Sequence, residues 1–311
     1  MNADPVSDLA KQWSNLLLEN GRSTHTGRRY LQAVDRFITW FEQHREASFL
    51  ATELSFGDLQ AYIAHLQECA SPNTVNLHIS ALRSFCNWLT EENLIDRNPA
   101  LRLKRLCKVQ PLAPKVLKPS HVDALLQKAQ LTRHAARNYA VIQVMVQTGL
   151  RINECSALQL GDLQISEQES WITVCPASSK SSRRVALNSA ARRALIDYLA
   201  VQWRVEATPK KIASELGLRP ANEPLWYSQK GGALSSRTIS ELLEKLVAAC
   251  SQQELAPRQT TAHNFRHTFA RNYLQEHPGD LIGLAEQLGH SSLESTRIYF
   301  QTWSDDARQG I

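Results

Sequence analysis

The sequence predicts a mainly α-helical protein with one small β-sheet, divided into two domains. Three observations lead there. The first hundred residues carry apolar stripes at helical spacing, punctuated by helix caps. A basic stretch at 101–118 holds Pro111 and Pro114, lacks apolar periodicity and reads as a linker. Beyond it, only short runs have β character, set among further helical segments. The expected boundaries are 1–100, 101–118 and 119–311. A chain of 311 residues with 43% hydrophobic content is long enough to bury two cores.

Residues 6–19 form a weak amphipathic stretch. From Thr24 to His44, the residues Tyr30, Val34, Phe37, Ile38 and Phe41 recur at three- and four-residue steps and share one helical face. Ser55, with Asp58 three residues on, predicts a capped helix start. Ser71-Pro72 predicts another, because proline tolerates the first helical position. Val75, Ile79, Leu82, Cys86 and Leu89 make the stripe that follows, and Asn98-Pro99 closes the unit. After the linker, Pro119-Ser120 opens a helix. A second runs through NYAVIQVMVQT to Gly149, a left-handed cap, after which Arg151 opens a short helix. Residues 171–177 and 183–188 predict a hairpin whose loop carries Lys180, and 223–228 predict a third strand ending at Gly231-Gly232. Helices are expected at 190–202, from Ser235, and at 263–275, 279–288 and 292–300.

The net charge of +5 is unevenly spread. Residues 1–100 carry eight Lys/Arg against twelve Asp/Glu, whereas 101–118 carry Arg102, Lys104, Arg105, Lys108, Lys115 and Lys118 with no acid. Such a strip suits a segment lying along a phosphate backbone, and equally a solvated linker. The six cysteines stand singly, without a CxxC pair, so no zinc site is expected and free thiols fit a reducing compartment. YAVIQVMVQTGL is too short to span a bilayer, and the N-terminus lacks the basic and apolar regions of a signal peptide. A soluble, cytoplasmic protein is expected.

Six polar residues of the second half form a chemical set: Arg151, Lys180, His263, Arg266, His290 and Tyr299. Attack on a phosphodiester builds charge on its non-bridging oxygens, and preorganised cations aimed there lower the barrier. Arginine serves best, because its planar fork stays charged and bonds two oxygens at once. His263 and Arg266 stand three apart and share a helical face. His290 follows a helix-ending glycine and precedes Ser291 and Glu294, which resemble a capping box that would hold the imidazole on a rigid corner. Tyr299 lies on the helix so started. Its phenol, with an ordinary pKa of about 10, needs a base, for which His263 is the candidate, and Lys180 is the candidate donor to the leaving 5′-oxygen. Taken singly, each of these residues has an ordinary structural explanation; their order and spacing together point to phosphoryl transfer through a phosphotyrosine bond.

Taken with their surroundings, these residues resemble the tyrosine recombinases of the phage-integrase and Xer family. TGLRINECSALQLGDL is similar to the first arginine motif (Arg151, with Glu154 behind it). HNFRHTFA is similar to the HxLRH box (His263, Arg266, and His267 beside them), with Phe265 in place of leucine. LGHSSLESTRIYF is similar to the LGH…IY motif (His290, Tyr299), and KSSRRVALN to the hairpin lysine segment (Lys180). STHTGRRYLQAVDRFITWF and SPNTVNLHISALRSFCNWLTEENLIDRNPA resemble the helical core-binding domain, so the likeness spans roughly residues 6–300.

The resemblance implies a SAM-like helical domain and an α+β catalytic domain closing as a C-shaped clamp on duplex DNA. It implies a 3′-phosphotyrosine on Tyr299, a Holliday junction, and a tetramer on two DNA sites. Neither ATP, metal nor other cofactor is implied, and an accessory directionality protein is a possible partner. DNA contacts are expected from Thr26, Arg28, Arg29, Asn73, Arg83, Ser235 and Arg237, and from Arg102, Lys104, Arg105 and Lys108 of the basic strip. Twelve residues follow Tyr299, with Trp303 as the anchor of a short tail, and no arm-binding domain precedes the core-binding region. The short tail favours integration or excision of a mobile element over Xer-type dimer resolution, and the lack of an arm-binding domain argues against the larger lambda-type integrases. Two alternatives remain: a type IB topoisomerase-like swivel, separable by relaxation of any supercoiled plasmid, and a DNA-binding protein without catalysis.

Overall fold

The computed structural model describes residues 5–20, 24–106, 115–175, 182–290 and 296–299. The chain divides into two compact units, Met1–Pro111 and Leu112–Ile311. The fold is mostly helical with one small antiparallel sheet.

Four helices build the first unit: α1 (Pro5–Glu19), α2 (Thr24–Arg45), α3 (Phe56–Cys69) and α4 (Pro72–Glu91). The α2 and α4 stripes point inward. Val34, Phe37, Ile38 and Phe41 are buried with Val75, Ile79, Leu82, Cys86 and Leu89 around Trp13, Tyr62 and Phe85. Tyr30 is half-buried and stacks on Trp13. The α3 start is a reciprocal box: the Asp58 amide donates to Ser55 Oγ at 3.3 Å and the Ser55 amide to Asp58 Oδ2 at 3.1 Å. Ser71 accepts from the Thr74 amide and starts α4.

The basic strip begins as an ordered rail on this unit. Asn98 caps a 3-10 turn, Pro99–Arg102, and Ala100 and Leu103 are buried beneath it. Asn76 brackets Leu106, donating to its carbonyl at 3.1 Å and accepting from its amide at 2.9 Å. Lys104 and Arg102 stay exposed.

The second unit comprises α5 (Pro119–Gln130), α6 (Ala135–Thr148), α7 (Ile152–Ala157), β1 (Leu163–Gln164), β2 (Trp171–Val174), β3 (Arg183–Ala186), α8 (Ser189–Trp203), α9 (Pro209–Leu218), α10 (Ser236–Ser251), α11 (Ala262–Glu276) and α12 (Leu281–Leu288), with residues 296–299 helical. α6 is buried along most of its length, through Val141, Ile142, Val144 and Met145, and packs on α5, α8 and α11. The hairpin is present: β2 and β3 run antiparallel with Val174 opposite Arg183.

The third strand differs from expectation. It is β1, paired to β2, rather than residues 223–228. Pro224 lacks an N–H for a ladder, and Leu225 and Trp226 instead take backbone partners from the irregular segments at Leu158 and Leu234. α9 was not expected at all, although its start is marked: Thr208 accepts from the Lys211 amide and Pro209 holds the first helical position. Among the described residues no helix is long and apolar enough to cross a membrane.

Candidate active site

The site is assembled around the ends of three helices of the second unit. α6 ends at Gly149, whose φ of 62° is the left-handed conformation glycine adopts freely. Two residues on, Arg151 is the N-cap of α7, where Glu154 Oε2 accepts from its amide at 2.9 Å. α12 ends in the same way at Gly289, φ 63°, and delivers His290 immediately afterwards. The Leu288 carbonyl, at the negative end of α12, receives Arg266 Nη2 at 2.6 Å and Arg151 Nη1 at 3.4 Å.

α11 supplies the rest, through residues whose directions follow helical spacing. Phe265 enters the core, and Asn264 and Thr268 pin the incoming chain by bonding the Lys115 carbonyl and the Leu117 amide. His263, Arg266 and His267 turn to the site. Arg266 is 2% exposed, and its Nη1 donates to the Gly149 carbonyl at 2.8 Å. Burial, then the charge of Arg151, brings its pKa down to about 10, so it remains a cation at neutral pH.

Tyr299 reaches the same pocket within its own chain. It is 7% exposed, and its hydroxyl lies 3.0 Å from His267 Nδ1. The His290 ring faces it, with centroids 6.3 Å apart and an 11° tilt between planes. Burial raises the phenol's pKa, while Arg266 and Arg151 pull against that rise by favouring phenolate.

His267 and His290 are each brought down to about 4, first by burial and then by neighbouring basic groups: His263 and Arg266 for His267, and Arg266, Arg151 and Arg183 for His290. Both are neutral at physiological pH. His263 stands at the mouth, 5.1 Å from His267 between ring centroids. The wall behind it, then Arg266 and Arg151, lowers its pKa too. His290 Nδ1 lies 2.8 Å from the buried Thr296 hydroxyl.

Seven of the expected residues thus converge: Arg151, Glu154, His263, Arg266, His267, His290 and Tyr299. The hydrogen-bond partner of the phenol is His267 rather than His263, the residue expected as its base. Lys180 and Lys108, like Ser291, Glu294 and Trp303, lie outside the described residues.

The expected DNA contacts fare unevenly. Arg28, Arg29 and Asn73 are exposed on the first unit and Thr26 is half-buried. Arg83 is half-buried, and its Nε and Nη2 donate to the Ala100, Leu101 and Leu103 carbonyls, which holds the rail in place. Arg105 donates to Ser80 Oγ while exposed. Ser235 caps α10, and Arg237 forms an exposed ion pair with Glu241 at 2.8 Å.

Sequence reasoning missed Arg183. Its Nη1 and Nη2 bond the two oxygens of Glu154 at 3.1 and 2.8 Å, and its Nε donates to the Gln287 carbonyl at 2.9 Å. The signal was β alternation: Arg183 shares the inward face of its strand with Val185, and Arg184 does not.

Residues 115–304 match the phage integrase family, and residues 10–93 match the phage integrase N-terminal SAM-like domain. The chain belongs to the phage integrase family. Among relatives of this integrase-family chain, the tyrosine recombinase XerC of Bacillus subtilis (strain 168) is 30% identical over 290 residues, covering 91% of the chain and 88% of the relative. XerC of Myxococcus xanthus is 30% identical over 297 residues, covering 95% and 93%. Two solved structures share the fold. XerH site-specific recombinase bound to difH substrate has a TM-score of 0.66 at 23% identity, covering 88% of this chain and 75% of that one. The Tn1549 transposon integrase in complex with transposon right end DNA has a TM-score of 0.69 at 19% identity, covering 97% and 99%. The phage-integrase chain described here is a tyrosine recombinase, an enzyme of site-specific recombination.

Proposed function

We propose that this tyrosine recombinase binds duplex DNA and cuts it with Tyr299, conserving the bond energy in a 3′-phosphotyrosine. The observation that carries the reading is the buried Tyr299 hydroxyl, hydrogen-bonded to His267 beside two guanidinium groups and His290. Arg151 and Arg266 bind the non-bridging oxygens of the scissile phosphate. His290 Nδ1 pairs with the Thr296 hydroxyl at 2.8 Å, and in the tautomer this reading requires the hydroxyl donates to Nδ1, so that Nε2 carries the proton that faces the phosphate. The phosphate's negative charge lifts both low-lying histidines toward their ordinary range, so His267 becomes able to take the phenol proton. Tyr299 oxygen bonds to phosphorus, the 5′-oxygen leaves, and Lys180 supplies its proton. The 5′-hydroxyl of a partner duplex then reverses the step, and a second round through a Holliday junction completes the exchange within a tetramer on two sites.

This chemistry has two candidate uses. The XerC relatives, alike along nearly the whole chain at 30% identity, favour Xer-type dimer resolution. Integration or excision of a mobile element, with an accessory directionality protein, has a fold-level likeness to a transposon integrase behind it.

A nicked duplex suicide substrate tests the chemistry. The parent is expected to form a covalent adduct mapping to Tyr299, and Tyr299→Phe none, with duplex affinity held within about threefold because most phosphate contacts are untouched. Equal products from both proteins would leave only a DNA-binding function. Relaxation of any supercoiled plasmid, without a need for paired sites, would favour the topoisomerase alternative.

A further inference from the structure

Glu154 has two guanidinium groups competing for one carboxylate. Its side chain is 9% exposed, that of Arg183 12% and that of Arg151 42%. Arg183 takes both carboxylate oxygens in the parallel fork that guanidinium and carboxylate prefer. Its third direction, Nε, is fixed on the Gln287 carbonyl. With each of its three nitrogens bonded to a protein oxygen, Arg183 is held on Glu154 and Gln287 rather than turned to a phosphate. The Arg151 guanidinium is left with a single contact to Glu154, through Nη1 at 3.0 Å, and that same Nη1 makes its longer bond to Leu288. Its Nε and Nη2 are not spent on Glu154. Gly289 leaves the room for this arrangement, since a Cβ there would sit 2.7 Å from Arg183 Nη1.

Resting on the reading of Arg151 as a phosphate ligand, we propose that Arg183 is a positioning residue for strand cleavage: it satisfies Glu154, so that Arg151 keeps two donor directions for the scissile phosphate. Without Arg183 the nearly buried carboxylate has one cation left to recruit, and a forked Arg151–Glu154 pair withdraws from the DNA the donors that cleavage needs. Burial pushes the Glu154 carboxyl up, but the Arg183 hydrogen bond, the Arg151 amide and both charges outweigh it and keep the group ionised. Glu154 is therefore a standing trap for Arg151 unless another cation fills it.

The experiment measures single-turnover adduct formation on the nicked duplex, with duplex affinity and thermal melting alongside. Arg183→Gln is expected to slow adduct formation by about tenfold to a hundredfold, the usual cost of misplacing a catalytic group, with affinity within about threefold. Adding Glu154→Gln to it is expected to restore at least about fivefold, because the amide oxygen still caps Arg151 but no charge draws its guanidinium away. A merely structural Arg183 predicts the opposite, since a second lost partner would deepen the defect. Arg183→Gln at the parent rate, or a double variant no faster than the single, overturns the proposal. Should the single variant melt early, the double variant decides against the parent: within about twentyfold supports the role, slower than that overturns it. A parent that forms no adduct overturns the reading of Tyr299, and the role of Arg183 falls with it.

Discussion

At the scale of single residues, the two arginines of the site do different structural work. Arg266 is 2% exposed and bonds the Gly149 and Leu288 carbonyls, so it joins the ends of α6 and α12. Arg151 sits on a helix cap with its side chain 42% exposed. Removing Arg266 strips charge-assisted hydrogen bonds from two buried carbonyls, at a cost of about 2–4 kcal/mol. Removing Arg151 loses one half-exposed ion pair and a long bond to the Leu288 carbonyl that Arg266 still satisfies, together worth about 1 kcal/mol or less. Arg266→Ala and Arg151→Ala should therefore both abolish adduct formation, while only Arg266→Ala lowers the urea midpoint substantially. Equal midpoints would mean that the Arg266 contacts carry no stability. Motif order made both arginines legible, because each stands beside a recognisable helix boundary or partner histidine. The difference between them was not legible, since burial depends on carbonyls 117 positions before Arg266 and 22 after it. Arg183 was harder still, as one of two adjacent arginines in a four-residue strand.

At the scale of elements, two of the groups proposed for catalysis are carried on helix ends whose geometry is set by glycine. Gly149 and Gly289 both close helices in the left-handed conformation and release Arg151 and His290 within two residues. At Gly149 a Cβ would lie 2.5 Å from the Phe269 ring, besides the strain of a φ of 62°. Gly279 has a φ of 83° with nothing within 4 Å of the added atom, so it isolates the backbone cost alone. That cost is about 1–2 kcal/mol, and overpacking adds about 1–3 kcal/mol more. Gly149→Ala should accordingly destabilise more than Gly279→Ala by about 1–3 kcal/mol in denaturant unfolding, and indistinguishable values would show that Phe269 yields freely. Caps of this kind are what made most helices readable: Ser55, Ser71, Gly149 and Ser235 all act where local sequence placed them. The α9 start carries an equally plain Thr208-Pro209 signal. β1, only two residues long, has no periodicity to read and exists because β2 offers it an edge.

For the whole molecule, the distribution of neutral histidines sets its response to acid. His78 is buried against Tyr62 in the first unit, and burial, then Arg36, lowers its pKa. In the second unit His263 is lowered, and His267 and His290 stand at about 4. Unfolding returns each to roughly 6.5, so across that interval the unfolded chain binds more protons and stability rises with pH. The contribution is complete above about pH 6.5 and is lost as the pH falls through about 4. A single histidine displaced this far contributes about 3 kcal/mol at most, and neighbours that repel one another titrate together, so the pair His267 and His290 contributes less than twice that. Asp58 and Glu154 are held below the ordinary carboxylate range against their burial by Ser55 and Arg45, and by Arg183 and Arg151; their loss comes later, below the histidine window. Melting followed from pH 7.5 to 4.5 should therefore show a decline of about 10 °C that begins before any carboxylate titrates. Replacing His267 and His290 together by Asn should flatten it, leaving the smaller slope due to His78, His121, His134 and His263, which are lowered too. An unchanged slope would place the acid sensitivity outside the pocket. A flattened one would mean that the pocket stores, as neutral histidines, the capacity for positive charge that a bound phosphate draws out.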